Sequence, residues 1–154
     1  MEIDLIGPLP TSKKGYNYIL TIVDVYTTYT VLQSLENKNM ECVARKLWEV
    51  FTDYGTPKIL QSDNGAEFVN KIIDAFTILH GIEPRLSVAY NSRTNRLVER
   101  RNKDISKALK KFIEGAYGRW DDWLPMVQIS FNQALSRRTS STAFVSCSIG
   151  LLMD

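Results

Sequence analysis

Histidine and cysteine are almost missing from this chain: one histidine, His80, and two cysteines, Cys42 and Cys147, among 154 residues. With no CxxC pair and no His/Cys cluster, a zinc finger is excluded. Two cysteines so far apart in sequence point to a reduced interior rather than a disulfide framework. No apolar run approaches the roughly 20 residues that span a bilayer. The opening Met-Glu-Ile-Asp has neither the basic nor the apolar region of a signal peptide. Internal repeats and low-complexity segments are lacking too. Charge of one sign is scarce, since 19 Lys and Arg against 17 Asp and Glu leave a formal net charge of +2. A nucleic-acid partner must therefore be read from where the charges stand, not from their sum. What is present suits a soluble intracellular domain: 44% hydrophobic and 23% charged residues, in a chain long enough for one core.

Residues 2–6 alternate in polarity, as a half-buried strand does. Gly7-Pro8-Leu9-Pro10-Thr11-Ser12 ends it, and Gly15 closes the turn region. Residues 17–24, aromatic and β-branched, predict a central strand, and 28–34 a third strand antiparallel to it across a short connection. Asn39 suits an N-cap. Val43, Ala44, Leu47, Val50 and Phe51 recur at helical spacing over 40–54, until Gly55 and Pro57 stop the helix. A strand over 58–61 leads into the turn Ser62-Asp63-Asn64-Gly65, followed by a helix over 67–80 and a strand over 85–88. A polar loop over 90–95 precedes a long helix from about 97 to 114. The last helix runs from about 120 to 136, with Pro125 predicting a late start or a kink. The tail 137–154 receives no assignment. This order describes an α/β domain, a mixed sheet with helices on its faces and right-handed crossovers between its parallel strands.

Three acids fall where such a sheet gathers a site: Asp4 on the first strand, Asp63 in the turn after the fourth, and Glu99 in the first turn of the long helix. Hard cations such as Mg²⁺ take oxygen ligands, and converging carboxylates can hold two of them about 3.5–4 Å apart for in-line phosphoryl displacement. Each acid also has an ordinary reading. Most of the 17 acids are solvated surface, Asp63 suits a turn, and Glu99 favours a helix N-terminus.

The segment from Asp4 through Gly7-Pro8-Leu9-Pro10 to Asp24 closely resembles the start of the integrase core of Ty3/Gypsy-type retrotransposons. Ser62-Asp63-Asn64-Gly65-Ala66-Glu67-Phe68 is similar to that family's second motif, and Val98-Glu99-Arg100-Arg101-Asn102 to its third. Residues 64–98, 35 in all, separate Asp63 from Glu99, the family's usual spacing. Trp120, Phe131-Asn132 and Ser141-Thr142-Ala143-Phe144 echo its C-terminal part. The resemblance implies an RNase H-like fold with a five-stranded mixed sheet. It implies that Asp4, Asp63 and Glu99 are catalytic and bind two Mg²⁺ or Mn²⁺ ions. The implied reactions are 3′-end hydrolysis and strand transfer, on element ends and target DNA, in the nucleus. On the same ground residues 1–154 are expected to be one catalytic core without the family's zinc-binding N-terminal and DNA-binding C-terminal domains, and to form a homodimer. Trp48, Trp120, Trp123, Met126 and Phe131 are candidates either for that two-fold contact or for the core.

Beside Glu99 the helix pattern sets out a basic stripe. Arg96, Arg100, Lys103, Lys107 and Lys110 step by four and three, with Val98, Ile105, Leu109, Phe112 and Ala116 opposite. Asn102 lies on Glu99's side. A phosphate backbone along the stripe would pass the carboxylates, although a solvated charged face has the same pattern. Asn64, Arg93, Arg96, Arg100, Asn102 and Lys103 are the candidate DNA contacts. The loop Tyr90-Asn91-Ser92-Arg93-Thr94-Asn95-Arg96-Leu97 departs from the family's Tyr-His-Pro-Gln-Thr-Asp-Gly-Gln, losing His, Pro and Gly while gaining two arginines. That departure keeps a second reading open, a domesticated host protein that retains the fold as a non-catalytic DNA-binding or dimerisation module. A ribonuclease H-like nuclease fits the motifs less well. Substituting Arg96 and Lys103 together should flatten the salt dependence of DNA binding, and an unchanged slope would sink the stripe as a DNA contact.

Overall fold

The computed structural model describes residues 1–62, 74, 77–86, 100–110, 118–134, 142, 143 and 145. Five strands form one mixed sheet: β1 (Glu2–Ile6), β2 (Tyr18–Val23), β3 (Thr30–Leu35), β4 (Ile59–Ser62) and β5 (Glu83–Leu86), in the order β3-β2-β1-β4-β5. β1 with β2 and β2 with β3 are antiparallel, while β1 with β4 and β4 with β5 are parallel. The expected pairing directions are thus observed. β5 starts two residues earlier than its composition suggests and includes Pro84. A proline lacks the N–H that a central strand needs, and it is tolerated here because β5 is an edge.

Alternation along the three antiparallel strands divides the apolar residues between two faces. Ile3, Leu20, Ile22, Val31 and Leu35 face α1 (Met40–Tyr54) and pack on its Met40, Val43, Leu47, Val50 and Phe51. The helix begins and ends as its sequence dictates. Asn39 accepts the Cys42 N–H at 3.0 Å, and Gly55, at φ 81°, donates its own N–H to the Phe51 carbonyl at 2.9 Å. The opposite face carries Ile19 and Leu32, under Ile105 and Leu109 of the helical stretch 100–110, here α2, and under Leu124 and Val127 of α3 (Leu124–Gln133). Residues 74 and 77–79 are helical within the expected 67–80.

The last helix does start late. Residues Trp120–Trp123 form a 3₁₀ turn, and Pro125 stands in the first α turn, where a missing N–H costs nothing. Trp120 is 1% exposed, and its indole Nε1 donates to the Pro10 carbonyl at 2.7 Å. Together with the Lys13 N–H on the Gly118 carbonyl at 2.6 Å, it ties the β1–β2 loop to the entry of α3. Trp120 is therefore a core residue and not part of a two-fold surface. Phe131 is half-buried, whereas Trp48 and Met126 remain exposed.

β3 is the other edge, and α3 covers it. Asn132, 3% exposed, accepts the Thr30 N–H and donates to the Thr30 carbonyl, both at 2.8 Å. One turn earlier, Gln128 accepts the Leu32 N–H at 2.8 Å. Two side chains four residues apart on a helix thus take the backbone groups that an edge strand leaves open. Asn132→Ala leaves a buried N–H and a buried C=O unpaired, and should lower unfolding free energy by about 2–4 kcal/mol in a urea titration.

Candidate active site

The middle of β1 places Asp4 on the face that α2 covers. In the β1–β2 register Asp4 stands opposite Thr21, and the pair lies beside the layer built from Ile19, Leu32 and Ile105. The Asp4 carboxylate is fixed from two sides. Its Oδ1 accepts the Leu5 N–H at 2.7 Å, and its Oδ2 accepts a hydrogen bond from Asn102 Nδ2 on α2. A carboxylate only accepts, so this contact determines which end of the Asn102 amide faces it. The amide oxygen, Oδ1, points away and is buried without a hydrogen-bond partner, as is Oγ1 of the fully buried Thr21. Leaving a buried polar atom unbonded costs about 1–3 kcal/mol. Such atoms gathered at one carboxylate mark a place where structure gives way to another demand.

A groove of about 550 Å³ opens over this point. One wall is Asp4, Leu5 and Ile6 of β1. The other is Asn102, Lys103, Ser106, Lys107 and Lys110 of α2. Arg100 and the three lysines are exposed, while Ile105 and Leu109 are buried, so the two helix faces divide as the spacing predicts. Lys103 to Lys110 spans seven residues, or about 10 Å of helix at 1.5 Å per residue.

Arg100 and Arg101 part company although they are adjacent. Arg101 turns inward, donates from Nη2 to the Thr28 carbonyl at 3.4 Å, and lies over the Phe131 ring at 5.2 Å from its centroid. Burial lowers its guanidinium pKa from the ordinary value, and the neighbouring Asp104 charge opposes that shift. Arginine keeps its proton under such a shift. Arg101 therefore pins α2 between α3 and the β2–β3 turn. That turn is itself held by Asp24, which accepts the Thr27 N–H at 2.9 Å and the Thr27 hydroxyl. Thr28 takes a positive φ of 65° there. The sequence signal for Arg101 was its place one helical turn before Ile105, on the inner face.

Of the expected site residues, Asp4 and Asn102 are brought together, and Arg100 and Lys103 stand on the solvent side of α2. Asp63, Asn64, Arg93, Arg96 and Glu99 lie outside the described residues, as does the loop 90–97. β4 ends at Ser62, one residue before Asp63, and the described part of α2 begins one residue after Glu99. Sequence reasoning did not single out Thr21, Arg101 or Glu2. Glu2 is 6% exposed and shares Asp4's face of β1, as the two-residue period requires. Among the described residues no group of three or more His, Cys, Asp or Glu could hold a metal. The Asp4 carboxylate, oriented by the Leu5 N–H and the Asn102 amide, is nonetheless an oxygen ligand of the kind a hard divalent cation takes.

Comparison with known proteins gives the same direction. Residues 1–92 match the integrase core domain family. The chain is similar to the Pro-Pol polyprotein of simian foamy virus type 1, 34% identical over 140 residues, which are 91% of this chain and 12% of the polyprotein. It is also similar to the retrovirus-related Pol polyprotein from transposon 412 of Drosophila melanogaster, 32% identical over 135 residues, 87% of this chain and 11% of that one. The chain thus spans about an eighth of the length of the curated relatives it matches. Among solved structures it resembles the catalytic core domain of BIV integrase, with a TM-score of 0.79 at 20% identity, covering 98% of this chain and 94% of that one. A second is the HTLV-2 integrase catalytic core domain in complex with magnesium, in a trimeric form, with a TM-score of 0.75 at 17% identity, covering 94% and 92%. The fold is RNase H-like, and the chain belongs to the integrase core domain family.

Proposed function

We propose that this chain is the catalytic core of an integrase, cutting and joining DNA phosphodiesters with divalent cations. One observation carries the reading: the Asp4 carboxylate, aimed by Leu5 and Asn102, stands on one wall of a groove whose other wall carries a row of lysines. Family membership supports it.

On this reading Asp4 acts with Asp63 and Glu99 to hold two Mg²⁺ or Mn²⁺ ions. Such ions activate an attacking oxygen and neutralise charge on the leaving one. The remaining work belongs to the chain. Lys103, Lys107 and Lys110 bind successive phosphates and set the register of the strand in the groove. Asn102 keeps the Asp4 carboxylate at one orientation, and Arg101 keeps α2 at one distance from the sheet. Arg100 reaches phosphate from the solvent side, and Asn64, Arg93 and Arg96 extend the contact from neighbouring segments. Phosphoryl transfer needs little beyond such positioning and charge. DNA ends and target DNA are the substrates. Trp48 and Met126, 52% and 55% exposed, supply apolar surface for self-association.

Oligonucleotide cleavage and strand transfer in Mn²⁺ test the proposal, with Glu99→Gln as the negative control. Asp4→Asn should reduce both by at least about a hundredfold, and Asn102→Ala by about 10- to 100-fold, the range for groups that orient a metal ligand. Retained DNA binding with no activity, in a longer protein that contains this domain, would favour the non-catalytic module instead. Replacing Lys103, Lys107 and Lys110 by Gln should lower the salt slope of DNA binding by about 2–3.

A further inference from the structure

Four serine or threonine side chains stand within the described helical residues: Thr52, Thr77, Ser106 and Ser130. Three of them bond back to their own helix. Thr52 donates to the Trp48 carbonyl at 2.9 Å, Thr77 to the Asp74 carbonyl at 2.9 Å, and Ser130 to the Val127 carbonyl at 2.7 Å. Such back-bonding is the ordinary use of a hydroxyl inside a helix. Ser106 makes no such bond, and among the described residues its hydroxyl has no protein partner. It is half-buried and lines the groove that holds Asp4.

The other residues of the groove have different uses. Leu5 and Ile6 are apolar, and Asp4 is a carboxylate. Asn102 gives an amide N–H to Asp4, and its amide oxygen is buried. Lys103, Lys107 and Lys110 are exposed charges on flexible stems, which suit phosphates and carry no base preference. Ser106 is the one neutral polar side chain among these residues that has no other engagement. A serine hydroxyl both donates and accepts, so it can meet a base edge. Its short side chain sits on a helix held by the buried Ile105 and Leu109, so the hydroxyl has little freedom to move. Ser106 lies four residues beyond Asn102, about 6 Å along α2 at 1.5 Å per residue. That is about two steps of a B-form strand at 3.4 Å each.

We propose that Ser106 is the specificity-determining residue of this groove, hydrogen-bonding the base of a nucleotide about two steps from the phosphate at Asp4. The lysines fix where the strand lies, and Ser106 selects the base that is accepted there. Leu5 and Ile6, on the facing wall, take the apolar surface of the same nucleotide. This rests on the reading that a DNA strand lies in the groove. It adds a base contact to a site whose other contacts are blind to sequence.

The test is competition binding of the full chain to DNA oligonucleotides that differ by one base at each position of one end, at several salt concentrations. Cleavage in Mn²⁺ is measured on the same set. The parent should prefer one base by about two- to tenfold at the position Ser106 faces, the range for one neutral hydrogen bond. Ser106→Ala should flatten that preference at that position alone, and Ser106→Thr, which keeps the hydroxyl, should preserve it. The salt slope should stay the same in both, because no phosphate contact is lost. Alanine favours a helix over serine, so the Ala variant should melt no lower than the parent. A parent with no base preference, an Ala variant that keeps it, or an Ala variant that loses affinity equally for every base would each overturn the role of Ser106. An unchanged salt slope after Lys103, Lys107 and Lys110 are replaced by Gln would show that no strand lies in the groove, and would overturn both that reading and Ser106's part in it. A preference in binding that Ser106→Ala removes, with no cleavage by the parent, would support Ser106 and overturn the catalytic reading alone.

Discussion

The hydrogen bond from Asn102 Nδ2 to Asp4 Oδ2 links the central strand of the sheet to the helix that covers it. Residues 98 positions apart in sequence meet there, and both line the groove. Were α2 displaced, Asp4 would lose the Asn102 donor, and the lysines would leave the carboxylate's side. A charged group half-buried at a sheet–helix seam is tolerable because both its oxygens are bonded.

Much of the remaining structure serves to hold that seam. Arg101 ties α2 to the Thr28 carbonyl and to Phe131 on α3. Asn132 and Gln128 then fasten α3 to the β3 edge. Trp120 fastens the start of α3 to the β1–β2 loop through Pro10. The chain of contacts runs from β3 through α3 and α2 back to β1, so the apolar layer of Ile19, Leu32, Ile105 and Leu109 is closed at its rim by directional bonds. Apolar packing sets the spacing between layers, and the hydrogen bonds set the rotation of each helix about its axis. That rotation decides that Asn102 faces Asp4 while Lys103 faces solvent.

The electrostatic design follows from the same geometry. A formal net charge of +2 gives little general attraction for a polyanion. Concentrating lysines on one wall of a groove gives a local field where a phosphate chain would lie. Arg101 is the exception in the same helix. It turns its charge into the protein over the Phe131 ring, where burial weakens its basicity and the neighbouring Asp104 charge opposes that shift. Adjacent arginines thus do unlike work because successive helical residues point about 100° apart.

Periodicity and punctuation are local properties, and they were legible in the sequence. Alternation in residues 2–6 and 17–24, Asn39 and Gly55 around α1, and the four-and-three steps of Arg100, Lys103, Lys107 and Lys110 all specify their elements without reference to the rest of the chain. Asp4 stood out because it lies in an ordered set of motifs. Pro84 hid the start of β5, since its tolerance depends on an edge position that only the sheet order reveals. Trp120 looked equally suited to a surface or a core until Pro10 appeared as its partner. Thr21 was invisible for the same reason. One hydroxyl among β-branched strand residues has no signature, and it acquires meaning only from the register that sets it opposite Asp4. Local chemistry is written in neighbouring residues, whereas the partner of a buried polar atom is chosen by contacts that the chain makes after it has folded.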